Sequence, residues 1–165
     1  MNFEIRHAEP ADAPSLHAIL TSSHVVLGSM RLPYMRLKNT EDRLAADPNL
    51  VQIVADRNGA VVGFAELVLH QNIPRAAHSA ELNMVVTQDE HQGNGIARTL
   101  IEEVIRLCDG FYRIRRLSLV VWADNARAIE LYRSLGFEQE GHMRDYVRTE
   151  SGYCDALQMA RITAN

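Results

Sequence analysis

Apolar and polar positions alternate at Phe3 and Ile5, the spacing of a short first strand. Pro10 and Asp12 then open a helix that runs to about residue 22. Asp12 stands at the N-cap, and Leu16, Ile19 and Leu20 form the apolar face. No period holds from residue 23 to 48. Gly28, Pro33 and Pro48 interrupt that stretch, and only residues 40–46 fit a short helix. Order returns with a strand over residues 51–55. Asp56-Arg57-Asn58-Gly59 follows, and Asn-Gly between two apolar runs predicts a hairpin because both residues tolerate positive φ. The return strand covers residues 60–69. Pro74 marks a loop, and residues 79–87 form the next strand. From about Gly95 to Cys108 there are two apolar rows, one at Ile96, Leu100 and Val104, the other at Ala97, Ile101, Ile105 and Cys108. Two such rows suit a helix lying on a sheet. Residues 117–122 are nearly all apolar, which predicts a central strand buried on both faces. Residues 126–135 read as a helix closed by Gly136 in a left-handed conformation. Residues 137–148 and 153–161 form a last hairpin around Ser151-Gly152.

This order predicts an α+β fold, a mixed and largely antiparallel sheet flanked by helices. At 165 residues the expectation is one domain over 1–165. With 47% apolar and 23% charged residues there is enough to build a core, which excludes a disordered chain. The formal net charge of −4 argues against nucleic acid as a partner, and no polybasic cluster points to a membrane surface. Cys108 and Cys154 form neither a disulfide framework nor a C-x-x-C pair, and no metal is expected. The N-terminus has no apolar h-region, and no apolar run approaches a membrane span. Both absences favour the cytoplasm.

The most informative stretch is Gln92-Gly93-Asn94-Gly95-Ile96-Ala97, which follows a strand and opens a helix. Its glycines let a ligand approach the backbone, and the free N–H groups of the helix start favour an anion. A plain flexible turn is the competing reading. A dinucleotide fingerprint fails because Arg98 stands where its third glycine belongs. A P-loop fails for want of Gly-Lys-Ser/Thr.

Gln92-x-x-Gly95-x-Ala97 resembles the Q/R-x-x-G-x-G/A motif of the GCN5-related N-acetyltransferase (GNAT) superfamily. Asn125-x-x-Ala128-x-x-x-Tyr132-x-x-x-Gly136-Phe137 resembles the same family's second block, at the expected distance downstream. The order of elements matches, so the resemblance spans the chain. Ile5-Arg6-His7-Ala8-Glu9, Pro74-Arg75, His78 and Gly152-Tyr153-Cys154-Asp155-Ala156 are most similar to small bacterial L-amino-acid N-acetyltransferases of the YhhY kind.

The resemblance implies a GNAT fold and acetyl-CoA as donor. Its pyrophosphate would lie on the N–H groups of Gly93, Asn94, Gly95, Ile96, Ala97 and Arg98, next to Gln92. The pantetheine arm would pair with the strand end at Val85, Val86 and Thr87. The family places a Val five residues before the Gln, where this chain has Thr87. Either Thr87 replaces it or the loop at residues 88–91 carries one extra residue. Asn125 would contact the cofactor arm, and it also reads as a helix N-cap. Tyr132 lies two helical turns further on the same face and would act as general acid to the CoA thiolate, or simply pack as a half-buried aromatic.

The acceptor amine must lose a proton before it attacks. Glu81 is the leading base and Glu66 the second, with a water relay as the alternative. His78 and His91 read first as surface histidines. Arg31 or Arg75 could clamp a substrate carboxylate, though each also reads as a solvated arginine. The expected reaction is acetyl transfer to the primary amine of a small molecule, an L-amino acid first. It proceeds by direct attack, with a tetrahedral intermediate held by backbone N–H at the Val86 strand end. A covalent cysteine intermediate has no support in the residues around Cys108 or Cys154. A protein N-terminus or lysine, a polyamine, an antibiotic amine, or a non-catalytic acetyl-CoA sensor are the alternatives. A homodimer is compatible with the family, and no residue pattern decides it.

Overall fold

Asn58 and Gly59 adopt φ of +56° and +83°, and Asp56 Oδ1 accepts the Gly59 N–H at 2.7 Å. The turn joins β2 (Leu50–Arg57) to β3 (Ala60–Leu69), the two strands that anchor the sheet. The computed structural model describes residues 3–163. Met1 and Asn2, part of the N-terminal reading above, lie outside them, as do the last two residues of the expected domain.

Seven strands form one sheet in the order β1-β2-β3-β4-β5-β7-β6. β1 (Glu4–His7) and β4 (Ser79–Thr87) flank the central hairpin, and β5 (Arg116–Trp122), β7 (Gly152–Ile162) and β6 (Glu138–Thr149) complete it. Every pairing is antiparallel except β4 with β5. Helices cover both faces, so the α+β expectation holds.

On one face lies α4 (Ile96–Leu107), burying Ile96, Leu100, Ile101 and Val104 against Ala65, Leu67, Leu82 and Leu119. Gly63 of β3 lets it come close, since a Cβ there would stand 2.6 Å from Ile96 Cγ2. α5 (Ala126–Ser134) buries Ile129 on the same core, and Gly136 (φ +87°) closes it as expected. The opposite face carries α1 (Ala13–Leu20), α2 (Ser23–Leu27) and α3 (Leu37–Arg43). Leu16, Ile19, Leu20 and Val25 pack there on Val54, Val61 and Phe64.

Two local expectations change. Asp12 makes no side-chain cap for α1; its carboxylate takes Arg6 through two 2.8 Å bonds and the Glu9 N–H at 2.8 Å. An arginine within reach outcompetes a helix N–H, because a charge-assisted bidentate pair is stronger than a single cap. Between residues 23 and 48 there are two helices, and α3 starts and ends three residues before the expected 40–46. Thr40, its one buried residue, bonds His17 Nδ1 of α1 at 2.9 Å. A helix held by one buried position leaves no apolar period to read.

Among the described residues no helix is long and apolar enough to cross a membrane.

Candidate active site

β4 and β5 pair only at Ser79–Arg116, Ala80–Leu117 and Glu81–Ser118. Beyond Glu81 the strands part, while β4 stays bonded to β3 through Thr87, opposite Gly63. The edge of β4 that faces β5 is therefore open from residue 82 to 87. Backbone N–H and C=O groups there need partners, and an extended ligand arm supplies them as a strand would. Val85 packs toward the α4 core and Val86 toward the α1 side, so the open stretch has a firm side-chain footing.

Past Thr87 the chain makes a 3-10 turn (Asp89–His91) and enters the glycine loop. Gly93 and Gly95 stand at φ +81° and +80°, a region costly for residues with a Cβ. No atom lies within 4 Å of where a Gly95 Cβ would be, so the space outside the loop is free. Thr99 N–H makes the first α4 bond, to Gly95 O at 3.0 Å. The N–H groups of Ile96, Ala97 and Arg98 precede it and remain for a ligand. Gln92 and Asn94 are exposed beside them. Open glycines at the head of a 12-residue helix suit a pyrophosphate. The Arg98 guanidinium is held by Ser134 Oγ at 2.7 Å, so its offer to an anion is its N–H. Arg127, missed in the sequence, brings its guanidinium within 4.0 Å of the Gly93 Cβ position and has no ion-pair partner among the described residues. Only the approach of α5 to the loop places it there.

Asn125 Oδ1 accepts the Ala128 N–H at 3.1 Å, so it is an N-cap, and its side-chain amide donors stay free. Tyr132 is half-buried and meets Phe137 edge to face, ring centroids 5.7 Å apart. Burial pushes its hydroxyl pKa up to about 12, so it stays protonated at neutral pH. Burial chiefly, with Asp109 nearby, pushes the Cys108 thiol up to about 12, which removes it as a nucleophile. Cys154 donates to Asp155 O.

The acceptor side is built on the face of the sheet opposite α4. A bulge at Asn83 breaks the register between Glu66–Met84 and Leu67–Leu82. One residue is absorbed, so Glu81 and Met84, an odd number apart, point to the same face as Glu66. The irregularity beside Glu81 lies within β4. Glu66 is 2% exposed, and both its oxygens are engaged: Arg43 at 2.6 Å and Asn83 at 2.6 Å on Oε1, Gln52 at 2.9 Å on Oε2. A carboxylate so enclosed is a brace between α3, β2 and β4, with three of its four acceptor sites already taken. Glu81 is partly exposed and makes no hydrogen bond or ion pair with the described residues. His91 Nδ1 contacts Arg57 at 3.5 Å, and the exposed His78 works through its carbonyl, which accepts Arg115 and Arg116 N–H. Arg75 is exposed, whereas Arg31 is half-buried. Among the described residues no three His, Cys, Asp or Glu side chains converge as metal ligands.

A sheet parted beside a glycine-headed helix, with an unpartnered carboxylate before the split, suits transfer of an acyl group from CoA to an amine, the chemistry of the acyl-CoA-dependent N-acyltransferases. The chain belongs to the acetyltransferase (GNAT) family, whose model matches residues 14–137. It is 35% identical over 158 residues to the L-amino acid N-acetyltransferase AaaT of Escherichia coli K12, covering 96% of each chain. The structure of a ribosomal-protein-alanine N-acetyltransferase from Brucella melitensis superposes with a TM-score of 0.83 at 31% identity, over 97% of this chain and 99% of that one. The spermidine N-acetyltransferase of Vibrio cholerae, solved with CoA and spermine, shares the fold (TM-score 0.84, 24% identity, 98% and 95% coverage). The protein is an acetyl-CoA-dependent N-acetyltransferase acting on amines.

Proposed function

We propose that this chain, as one domain over residues 1–165, moves the acetyl group of acetyl-CoA to the primary amine of an L-amino acid. The observation that carries the transfer chemistry is the parting of β4 from β5 just after Glu81 and before the glycine loop. The amino-acid acceptor is supported by the end-to-end likeness to an amino-acid acetyltransferase.

Acetyl-CoA supplies the acetyl group as a thioester. The loop N–H groups from Gly93 to Arg98 hold the pyrophosphate, with Gln92 and Asn94 beside them and Arg127 adding charge. The free edge at Val85, Val86 and Thr87 takes the pantetheine arm, and the Asn125 amide has donors free for it. The Gln88–Val62 bond and the Phe64–Val86 pairing turn the Val86 N–H toward β3, so the backbone N–H of Val85 or Thr87, on the open edge, receives the negative charge that builds on the carbonyl oxygen. Glu81, free of other partners, takes the amine proton. As the new C–N bond forms and the C–S bond breaks, the Tyr132 hydroxyl donates to the departing sulfur. With Cys108 buried and protonated, the amine attacks directly. All these groups come from one chain, so a homodimer is not needed for the chemistry. The proposed site of action is the cytoplasm.

The test is an acceptor panel of amino acids, polyamines, aminoglycosides and short peptides, read by CoA release and product mass. The expected result is N-acetylated L-amino acid with stoichiometric CoA. Product only from polyamines or peptides would overturn the amino-acid reading. Acetyl-CoA binding without release with any amine would make the protein a sensor.

A further inference from the structure

Five arginines among the described residues are half-buried: Arg6, Arg31, Arg43, Arg116 and Arg161. Four are ion-paired, to Asp12 and Asp56, to Glu66, to Glu140 and to Asp109 respectively. Arg31 is the exception. It lies between α2 and α3, and among the described residues the one hydrogen-bond acceptor of its guanidinium is Met84 Sδ, 3.4 Å from Nη2. A thioether is a weak acceptor and carries no charge. Glu66, the carboxylate that acts on it through space, is ion-paired to Arg43 and bonded by Gln52 and Asn83, with no bond to Arg31. The local balance is two guanidiniums to one carboxylate. Burial, reinforced by Arg43, lowers the Arg31 pKa from its usual value, and Glu66 only partly opposes this. A half-desolvated guanidinium without an anion is unfavourable unless something acidic arrives to meet it.

Arg31 touches the face of β4 that also carries Glu81, and Met84 joins the two positions across the bulge. A zwitterionic acceptor has the matching polarity, its ammonium directed to Glu81 and its carboxylate to the Arg31 fork. We propose that Arg31 is the specificity-determining residue that admits acceptors bearing an α-carboxylate. This rests on the amino-acid reading above and says how it is achieved. A guanidinium binds a carboxylate through two parallel N–H bonds. It repels the second ammonium of a polyamine. It finds only a neutral carbonyl at a peptide N-terminus. One side chain thus separates the three acceptor classes among which the relatives are divided.

The experiment compares L-amino acids with their α-amides as acceptors at saturating acetyl-CoA, in the wild type, Arg31→Gln and Arg31→Lys. Wild type is expected to favour each acid over its amide. Arg31→Gln is expected to raise KM for the acid by about 10–100-fold, the range of a lost charged hydrogen bond. It should leave kcat, the amide KM and acetyl-CoA affinity within about threefold, and Arg31→Lys should recover part of the loss. Equal KM rises for acid and amide would reduce Arg31 to a packing role and overturn the proposal. So would an unchanged acid KM, or a wild type indifferent to the amide. The wild-type comparison needs no variant, so it decides even if Arg31→Gln does not fold. If the wild type acetylates no free amino acid but does acetylate spermidine or a peptide, the underlying function fails instead, which the wild-type row alone reveals.

Discussion

Tyr132 packs through its ring and keeps its hydroxyl protonated, the two properties that the proposed general acid needs. Its ring meets Phe137 edge to face, and its hydroxyl stays protonated to about pH 12. Tyr132→Phe keeps the ring contact, so stability and acetyl-CoA affinity should hold while kcat falls roughly 10²–10⁴-fold, the range of a lost general acid. Steady-state rates beside calorimetry check this, and a rate within twofold of wild type would leave only packing. A tyrosine protonated this firmly adds no limb to the pH–rate profile below about pH 10. Any acidic limb in kcat/KM then belongs to the base or the amine. Glu81→Gln should flatten that limb, because Gln keeps the shape and loses the basicity. Glu66→Gln tests the opposite role: a buried brace around Arg43 should lose stability in urea, with the shape of the pH profile retained. A normal profile in Glu81→Gln would pass the proton to water.

Two glycines separate ligand space from packing space at the level of elements. Gly95 heads α4 at φ +80° with nothing near its Cβ position. Gly95→Ala should cost about 1–2 kcal/mol through the left-handed backbone and weaken acetyl-CoA tenfold or more, since the methyl enters the free space of the loop. Gly63 lies under the same helix at ordinary φ, and a Cβ there would press Ile96 Cγ2 at 2.6 Å and Leu100 Cδ1 at 3.1 Å. Gly63→Ala should lose about 1–3 kcal/mol by overpacking, with a smaller change in acetyl-CoA affinity. Denaturation midpoints and calorimetry on the pair check the contrast; equal effects on both readouts would mean that loop and packing are one unit.

Cys108 links the core to the pH response of the whole molecule. The unfolded thiol loses its proton near pH 9, whereas the buried thiol holds it to about pH 12. In that window the unfolded chain binds fewer protons, so stability is full below pH 9 and is lost as pH rises toward 12. Tyr132 adds to the same decline from about pH 10. Cys108→Ala should lower stability at neutral pH through the cavity it leaves and make the alkaline decline shallower. Urea midpoints across the window measure this, and an unaltered slope would mean the decline has another source.

Several features were legible in the chain itself because each is enforced by neighbours in sequence. Asn58-Gly59 dictates its turn by tolerance of positive φ. The two apolar rows of α4 announce a helix on a sheet, and Gly93 and Gly95 mark the positive-φ loop that heads it. Other features are settled by residues far apart. Asp12 looks like a cap until Arg6 reaches it, and Glu66 looks like a base until Arg43, Gln52 and Asn83 enclose it. The bulge at Asn83 turns Glu81 to the face of Glu66, and α5 sets Arg127 against Gly93. Arg31 in the sequence is one arginine among many. Only when β4 carries Met84 beneath it, and the nearest carboxylate is already taken, does it become an unpaired charge. Periodicity and turn chemistry act over a few residues, whereas electrostatic partners and strand register are chosen across the fold. The sequence alone therefore determined the periodic elements and the glycine loop at the head of α4, and the tertiary structure decided the helices between residues 23 and 48 and which charges are left without a partner.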